Sequence, residues 1–190
     1  IDLSPPWRRI TLHDAVRDHF GVTDADLLSE PSLRALAASR GLAPDGKSGR
    51  GKVLLELFEK FVEDTLVQPT FVFGYPIEVS PLARRSEREA ETTDRFELYV
   101  GGRELANAFS ELNDPDDQRA RFEAQARARA AGDEEAQAMD EDFLVALEHG
   151  MCPTAGEGIG IDRLVMMFTN QLSIRDVILF PLLRPERAQA

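Results

Sequence analysis

Apolar and polar positions change period several times along this chain, and each change predicts an element. Thr11 to Phe20 reads as a short helix, with Thr11 as its N-cap and Gly21 as its stop. Pro31 to Arg40 predicts a second helix, ending at Gly41. From Lys52 to Leu66 the apolar residues fall at Val53, Leu54, Leu57, Phe58, Phe61 and Val62, a helical spacing with one buried face. These three helices read as scaffold, and the turn-rich stretch Ala43 to Gly51 reads as an exposed loop. Thr70-Phe71-Val72-Phe73 is β-branched and aromatic between Pro69 and Gly74, so it predicts a strand. Phe96 to Val100 and Glu104 to Leu112 predict two more strands, joined at the hairpin signal Gly101-Gly102. Asp114-Pro115-Asp116-Asp117 supplies a cap, a first-turn proline and acids at the positive dipole end, and predicts a helix running to Ala131. Asp140 to His149 predicts a further helix stopped by Gly150, with His149 capping its C-terminus, and Ile174 to Phe180 a closing strand ended by Pro181.

Glycine at 156, 158 and 160 suits an extended segment lying close to something flat, or a bulged core strand. Leu164 to Phe168 then predicts a buried helix with Arg163 at its start. Strands, then helices, then a strand predict an α+β fold: a mixed, mainly antiparallel sheet flanked by helices. Residues 1–68 read as a helical segment and residues 69–190 as a sheet-and-helix portion of the same domain.

The chain has 190 residues, enough for one domain with a real core. Its formal net charge of −12 argues against a general nucleic-acid grip. Lysine occurs only at Lys47, Lys52 and Lys60. A single cysteine, Cys152, rules out an internal disulfide and fits a reducing cytoplasm. No apolar stretch is long enough to cross a membrane. The chain opens on Ile1, which reads as the start of a piece of a longer protein.

Candidate chemistry concentrates in the hairpin. Glu97 is out of phase with Phe96, Leu98 and Val100. On the second strand Glu104, Ala106, Ala108, Ser110 and Leu112 share one face, and Leu105, Asn107, Phe109 and Glu111 the other. The latter set offers an aromatic wall, an amide and a carboxylate, which suits a pocket as well as a solvated strand. Glu97 and Glu104 flank the turn. Oxygen-only ligands in this number match Mg²⁺ bound with a substrate's phosphates, or else two exposed acids at a hairpin end. Arg163 offers a guanidinium for a phosphate or a base, or an ion pair with Asp162. Neither the phosphate-loop nor the dinucleotide glycine pattern is met at Gly156 to Arg163. His13, His19 and His149 have no zinc spacing.

Thr93-Asp94-Arg95-Phe96-Glu97, Asn107-Ala108-Phe109-Ser110-Glu111-Leu112-Asn113-Asp114 and Gly156 to Arg163 together resemble the C-terminal part of the catalytic domain of the lysyl-tRNA synthetases, class II enzymes. Tyr75 to Arg84 and Ile174 to Pro181 resemble the same family. The Gly156 to Arg163 stretch is similar to the third signature motif of class II synthetases, and Asn-x-Phe-x-Glu narrows the resemblance to the lysine branch. The resemblance implies ATP-dependent activation of lysine to lysyl-adenylate, transfer to tRNA(Lys), and a cytoplasmic homodimer. It implies lysine binding by Asn107, Phe109 and Glu111, with Glu111 neutralising the ε-ammonium. It implies Mg²⁺ at Glu97 and Glu104, and ATP at Glu104, Gly158, Gly160 and Arg163, with Arg163 in the catalytic role.

The family's first and second motifs and its anticodon-binding barrel are absent from these residues, and Ala108 stands where many members have glycine. The isolated chain is therefore expected to be inactive. Two other readings stand beside this one. One is a ligase that lysylates a protein such as elongation factor P. The other is a non-catalytic interaction module. Pyrophosphate exchange separates enzyme from module, and acceptor choice separates the two ligases.

Overall fold

The computed structural model describes residues 1–133 and 136–182. The chain divides into two compact units, Ile1–Gly158 and Ile159–Ala190. The first unit opens on strand β1 (Arg8–Thr11). The Thr11 side chain then accepts from Asp14 N and starts helix α1 (Leu12–Phe20), which Gly21 closes in the left-handed conformation. Helix α2 (Asp24–Leu28) begins at a capping box between Thr23 and Asp26, and α3 (Glu30–Ser39) at Ser29. Sequence periodicity missed β1 and α2. β1 reads Arg-Arg-Ile-Thr, without strand alternation, and α2 is too short to show a period.

The long helix expected from Lys52 to Leu66 is three structures in succession. Helix α4 (Arg50–Leu57) passes into a π-helical turn (Phe58–Val62) and a 3₁₀ turn (Glu63–Thr65). The side chain of Glu78 caps α4 by accepting from Lys52 N. Leu12, Val16, Leu33, Val53, Leu57 and Phe58 form one buried cluster with Val72, Tyr75 and Tyr99 of the sheet side. Burying such side chains contributes about 1.5–3 kcal/mol each, and it joins the helical segment to the sheet as one core.

The sheet adds β2 (Thr70–Phe73), β3 (Arg95–Tyr99), β4 (Glu104–Ser110) and β5 (Ala155–Ile159), in spatial order β1-β2-β3-β4-β5. β1 and β2 are parallel, while β2–β3 and β3–β4 are antiparallel. The sheet is mixed and mainly antiparallel, as the sequence predicts. The hairpin turn has φ 64° at Gly101 and 69° at Gly102, the pair of left-handed residues a two-residue turn needs. Gly102 also has no room for a side chain, since a Cβ there would lie 2.8 Å from Asp64 O. Gly101 N and Gly102 N donate to Val67 O and Leu66 O, so the turn is pinned where the helical segment ends.

Helix α5 (Pro115–Ala130) starts at Asp114, whose side chain accepts from Asp116 N and Asp117 N, and α6 (Glu141–Glu148) starts at Asp140. Phe122 and Phe143 pack with ring centroids 6.0 Å apart, and His149 Nδ1 meets Val145 O at 2.7 Å as a C-terminal cap. In the second unit, α7 (Ile161–Thr169) ends at left-handed Asn170. The strand expected over Ile174 to Phe180 is not formed. The Ser173 side chain accepts from Arg175 N and initiates a 3₁₀ turn (Ile174–Asp176), a local bond that competes with extended backbone. No helix among the described residues is long and apolar enough to cross a membrane.

Candidate active site

Strand pairing sets the site. Glu97 lies opposite Asn107, and Arg95 opposite Phe109, so all four side chains emerge from one sheet face. Between Leu98 and Tyr99 the register shifts: Leu98 pairs with Ala106, but Tyr99 pairs with Glu104. Leu105 is the extra residue of a β-bulge. Simple alternation put Glu104 with Ala106 and Ala108. The bulge moves it to the face of Tyr99, Glu97 and Asn107, so this expectation is corrected.

Glu97 is 7% exposed and hydrogen-bonded on both oxygens. Its Oε1 accepts from Arg95 Nη2 at 2.5 Å. Its Oε2 accepts from Tyr75 OH at 2.7 Å and also from Tyr99 OH. Burial, and then the negative charge of Glu97, pushes both phenols well above their ordinary value, so both remain donors. Nearby, burial and then the charges of Glu59, Glu97, Asp64 and Glu104 push the Glu63 carboxyl up to about 7. The 3₁₀ turn and the pinned hairpin bring these acids within electrostatic reach of one another.

This donor set fits Mg²⁺. It is all oxygen, and Glu104 and Glu97 share a face. Glu97 Oε1, with one hydrogen bond on it, retains a lone pair.

Arg95 organises the centre of the face. Its Nε donates to Asn107 Oδ1 at 3.2 Å, and its Nη1 to Val79 O at 3.2 Å and Ser80 Oγ at 2.8 Å. Its guanidinium lies 4.5 Å from the centroid of the Tyr75 ring. From the other side Arg121 donates to Ser80 O and Ala83 O, and Gln118 to Pro81 O. Arg121 also pairs twice with Asp117 and holds that carboxyl below the usual carboxylate range. The Val79 to Ala83 segment is thus gripped by two arginines.

That segment lies alongside Glu111. Ala83 and Glu111 form an antiparallel bridge, and Leu112 N donates to Leu82 O at 2.9 Å. Glu111 N donates to Thr154 O at 3.0 Å, just before β5. A Cβ at Gly156 would lie 2.7 Å from Glu111 Oε1, so this glycine makes room for the carboxylate. The half-buried Glu111 carboxylate has no hydrogen-bond or ion-pair partner among the described residues.

The first unit therefore brings together Glu97, Glu104, Asn107, Phe109 and Glu111. Gly158 also lies in this unit, where a Cβ would meet only Asn107 O, at an ordinary 3.9 Å. Gly160 and Arg163 belong to the second unit. Gly160 precedes α7, and Arg163 lies in its first turn. A cation there faces the positive end of the helix dipole, so helix stability does not call for it. Arg95, Arg121, Tyr75 and Tyr99 carried no site role in the sequence, and Gly156 only the general backbone role of the glycine alternation.

The family described as tRNA synthetases class II (D, K and N) matches residues 1–184. The lysine–tRNA ligase of Moorella thermoacetica is 56% identical over 98% of this chain and 38% of its own length. That of Syntrophomonas wolfei is 54% identical over 100% of the chain and 38% of its own. That of Thermosynechococcus vestitus is 56% identical over 99% of the chain and 37% of its own. The chain thus spans well under half the length of the curated relatives it matches. With a family match across nearly every residue, the chain belongs to the class II tRNA synthetases of the D, K and N group.

Proposed function

We propose that this chain is part of a lysine–tRNA ligase that activates lysine with ATP and transfers it to tRNA(Lys). The observation that carries this reading is the unpartnered Glu111 carboxylate against Gly156, two strand steps beyond Asn107. A half-buried anion with an apolar wall suits the ε-ammonium and alkyl chain of lysine. The names of the relatives support the same substrate.

In this reading Glu111 pairs with the ammonium, Phe109 lines the alkyl chain, and Asn107 donates to the carboxylate of the amino acid. Holding that carboxylate in line with the α-phosphate supplies the proximity that the first step needs, and no protein nucleophile is required. Glu97 and Glu104 would hold Mg²⁺, whose chemistry when bound is to neutralise charge on the ATP phosphates. Arg163 would lie against the adenine and the terminal phosphate, and Gly158 and Gly160 would let backbone run close to the nucleotide. The same reading implies a cytoplasmic homodimer. It assigns residues 1–190 to the catalytic domain.

Lysine-dependent pyrophosphate exchange in the full-length protein tests the proposal. Glu111→Gln should lower kcat/KM for lysine by up to about 10⁴, because the charged partner of the ammonium is lost. Unchanged kcat/KM would remove Glu111 from the pocket. Exchange driven by another amino acid would reject the substrate.

A further inference from the structure

Asn107 and Glu97 sit directly opposite each other on β4 and β3. Cross-strand neighbours on one face have Cβ atoms about 4.5–5.5 Å apart. Left to themselves, an amide and a carboxylate in that relation would pair, with the Asn107 amino group donating to Glu97. Such a pair would occupy the donor that a carboxylate substrate needs and would tie the Glu97 carboxylate to the amide rather than to the guanidinium.

Arg95 prevents it. A guanidinium can only donate, so its bond to Asn107 selects the amide oxygen, at 3.2 Å. The amino group is turned away, and among the described residues it has no partner. The same guanidinium occupies Glu97 Oε1. Its remaining contacts, Val79 O, Ser80 Oγ and the Tyr75 ring, fix its plane from three directions. The side chain is only 16% exposed, so the arrangement is sheltered from competing water.

We propose that Arg95 is a positioning residue that holds Asn107 and Glu97 apart, with one guanidinium orienting both the amide for the amino-acid carboxylate and the acid for the cation. This rests on the assignment of Asn107 and Glu111 to the lysine pocket. A lysine in place of Arg95 could reach one partner but not both, since an ammonium offers no planar fork.

The test uses the full-length protein. Lysine affinity is measured by isothermal titration without ATP or magnesium, beside thermal unfolding and the magnesium dependence of pyrophosphate exchange. Arg95→Met should weaken lysine binding about tenfold or more, as expected on losing a charge-assisted bond that orients a ligand contact. It should also raise the magnesium concentration for half-maximal exchange. Arg95→Lys should fail to restore both together, and it carries the test if Arg95→Met does not fold. Glu111→Gln is measured in parallel. If it weakens lysine binding while both Arg95 variants bind within about twofold of the unmodified protein, the positioning role is overturned and the pocket stands. A lowered unfolding temperature with unchanged lysine affinity in the Arg95 variants also overturns it, as a purely structural role. If Glu111→Gln binds lysine normally, the pocket itself is rejected, and the proposal with it.

Discussion

The helical layer over α1–α4 and the hairpin β3–β4 fill the interior of the same unit by different means. Under the helices the buried positions are Leu12, Val16, Leu33, Val53, Leu57 and Phe58. Around the hairpin they include Glu97, Tyr99, Thr93 and, from α5, Arg121 and Gln118. The first region gains by removing apolar area from water, a non-directional effect governed mainly by volume. The second depends on polar groups such as Glu97 and Arg121 meeting their partners, because an orphaned buried group keeps its full desolvation cost. A volume-conserving change should therefore be mild in one region and severe in the other.

Methionine tests that contrast directly. Leu57→Ala should cost about 2–5 kcal/mol in urea unfolding, and Leu57→Met less than about 1.5 kcal/mol. Arg121→Met keeps an unbranched chain but removes the Arg121 donors to Ser80 O, Ala83 O and Asp117, leaving Ser80 O only its bond from Ala83 N. It should cost about 3 kcal/mol and speed hydrogen exchange at Leu112 N, which depends on the same segment. Equal costs for Leu57→Met and Arg121→Met would erase the distinction.

A smaller effect belongs to Gly156. The intruding Cβ of Gly156→Ala would meet the flexible end of Glu111, so the carboxylate should swing aside at little cost in stability. The KM for lysine should rise about tenfold, since small misplacements of a contact are costly, while unfolding stays within about 0.5 kcal/mol. A large loss of stability would place the strain in the backbone instead.

The smallest effect belongs to Glu63. Its folded value of about 7 exceeds the ordinary 4.5, so the folded state keeps a proton that the unfolded chain has released. Stability should fall as pH rises from about 4.5 to about 7 and then level off. The half-exposed setting screens the effect to about 1 kcal/mol. Glu63→Gln should flatten this slope in metal-free buffer. An unchanged slope would assign the pH dependence to other groups.

Much of the site was legible as residue types but not as an arrangement. The two-residue spacing of Asn107, Phe109 and Glu111 announces a common face; Asn107 and Phe109 share it on β4, and Glu111 follows just past the strand's end. Glu104 could not be placed by counting, because the bulge at Leu105 is decided by how β3 and β4 meet across the pinned turn. The helix expected from Lys52 to Leu66 kept its apolar face, yet its last two turns are π-helical and 3₁₀. Periodicity reports which face is buried and is insensitive to a one-residue change in winding.

The sequence by itself determined the elements with strong local signals. Thr11, Asp114 and Asp140 start helices because their side chains satisfy orphan backbone donors, and Gly101-Gly102 turns the hairpin because both residues tolerate positive φ. These outcomes need only a few neighbouring residues. The tertiary structure alone decided that Arg95 reaches Asn107, Glu97 and Ser80 together, that Arg121 and Gln118 hold the segment beside Glu111, and that Gly156 leaves space for a carboxylate. Apart from the direct Arg95–Glu97 bond along one strand, those contacts join residues from 12 to 45 positions apart. Hydrogen bonds and close approaches of that kind depend on register, strand pairing and helix docking, which no local pattern encodes.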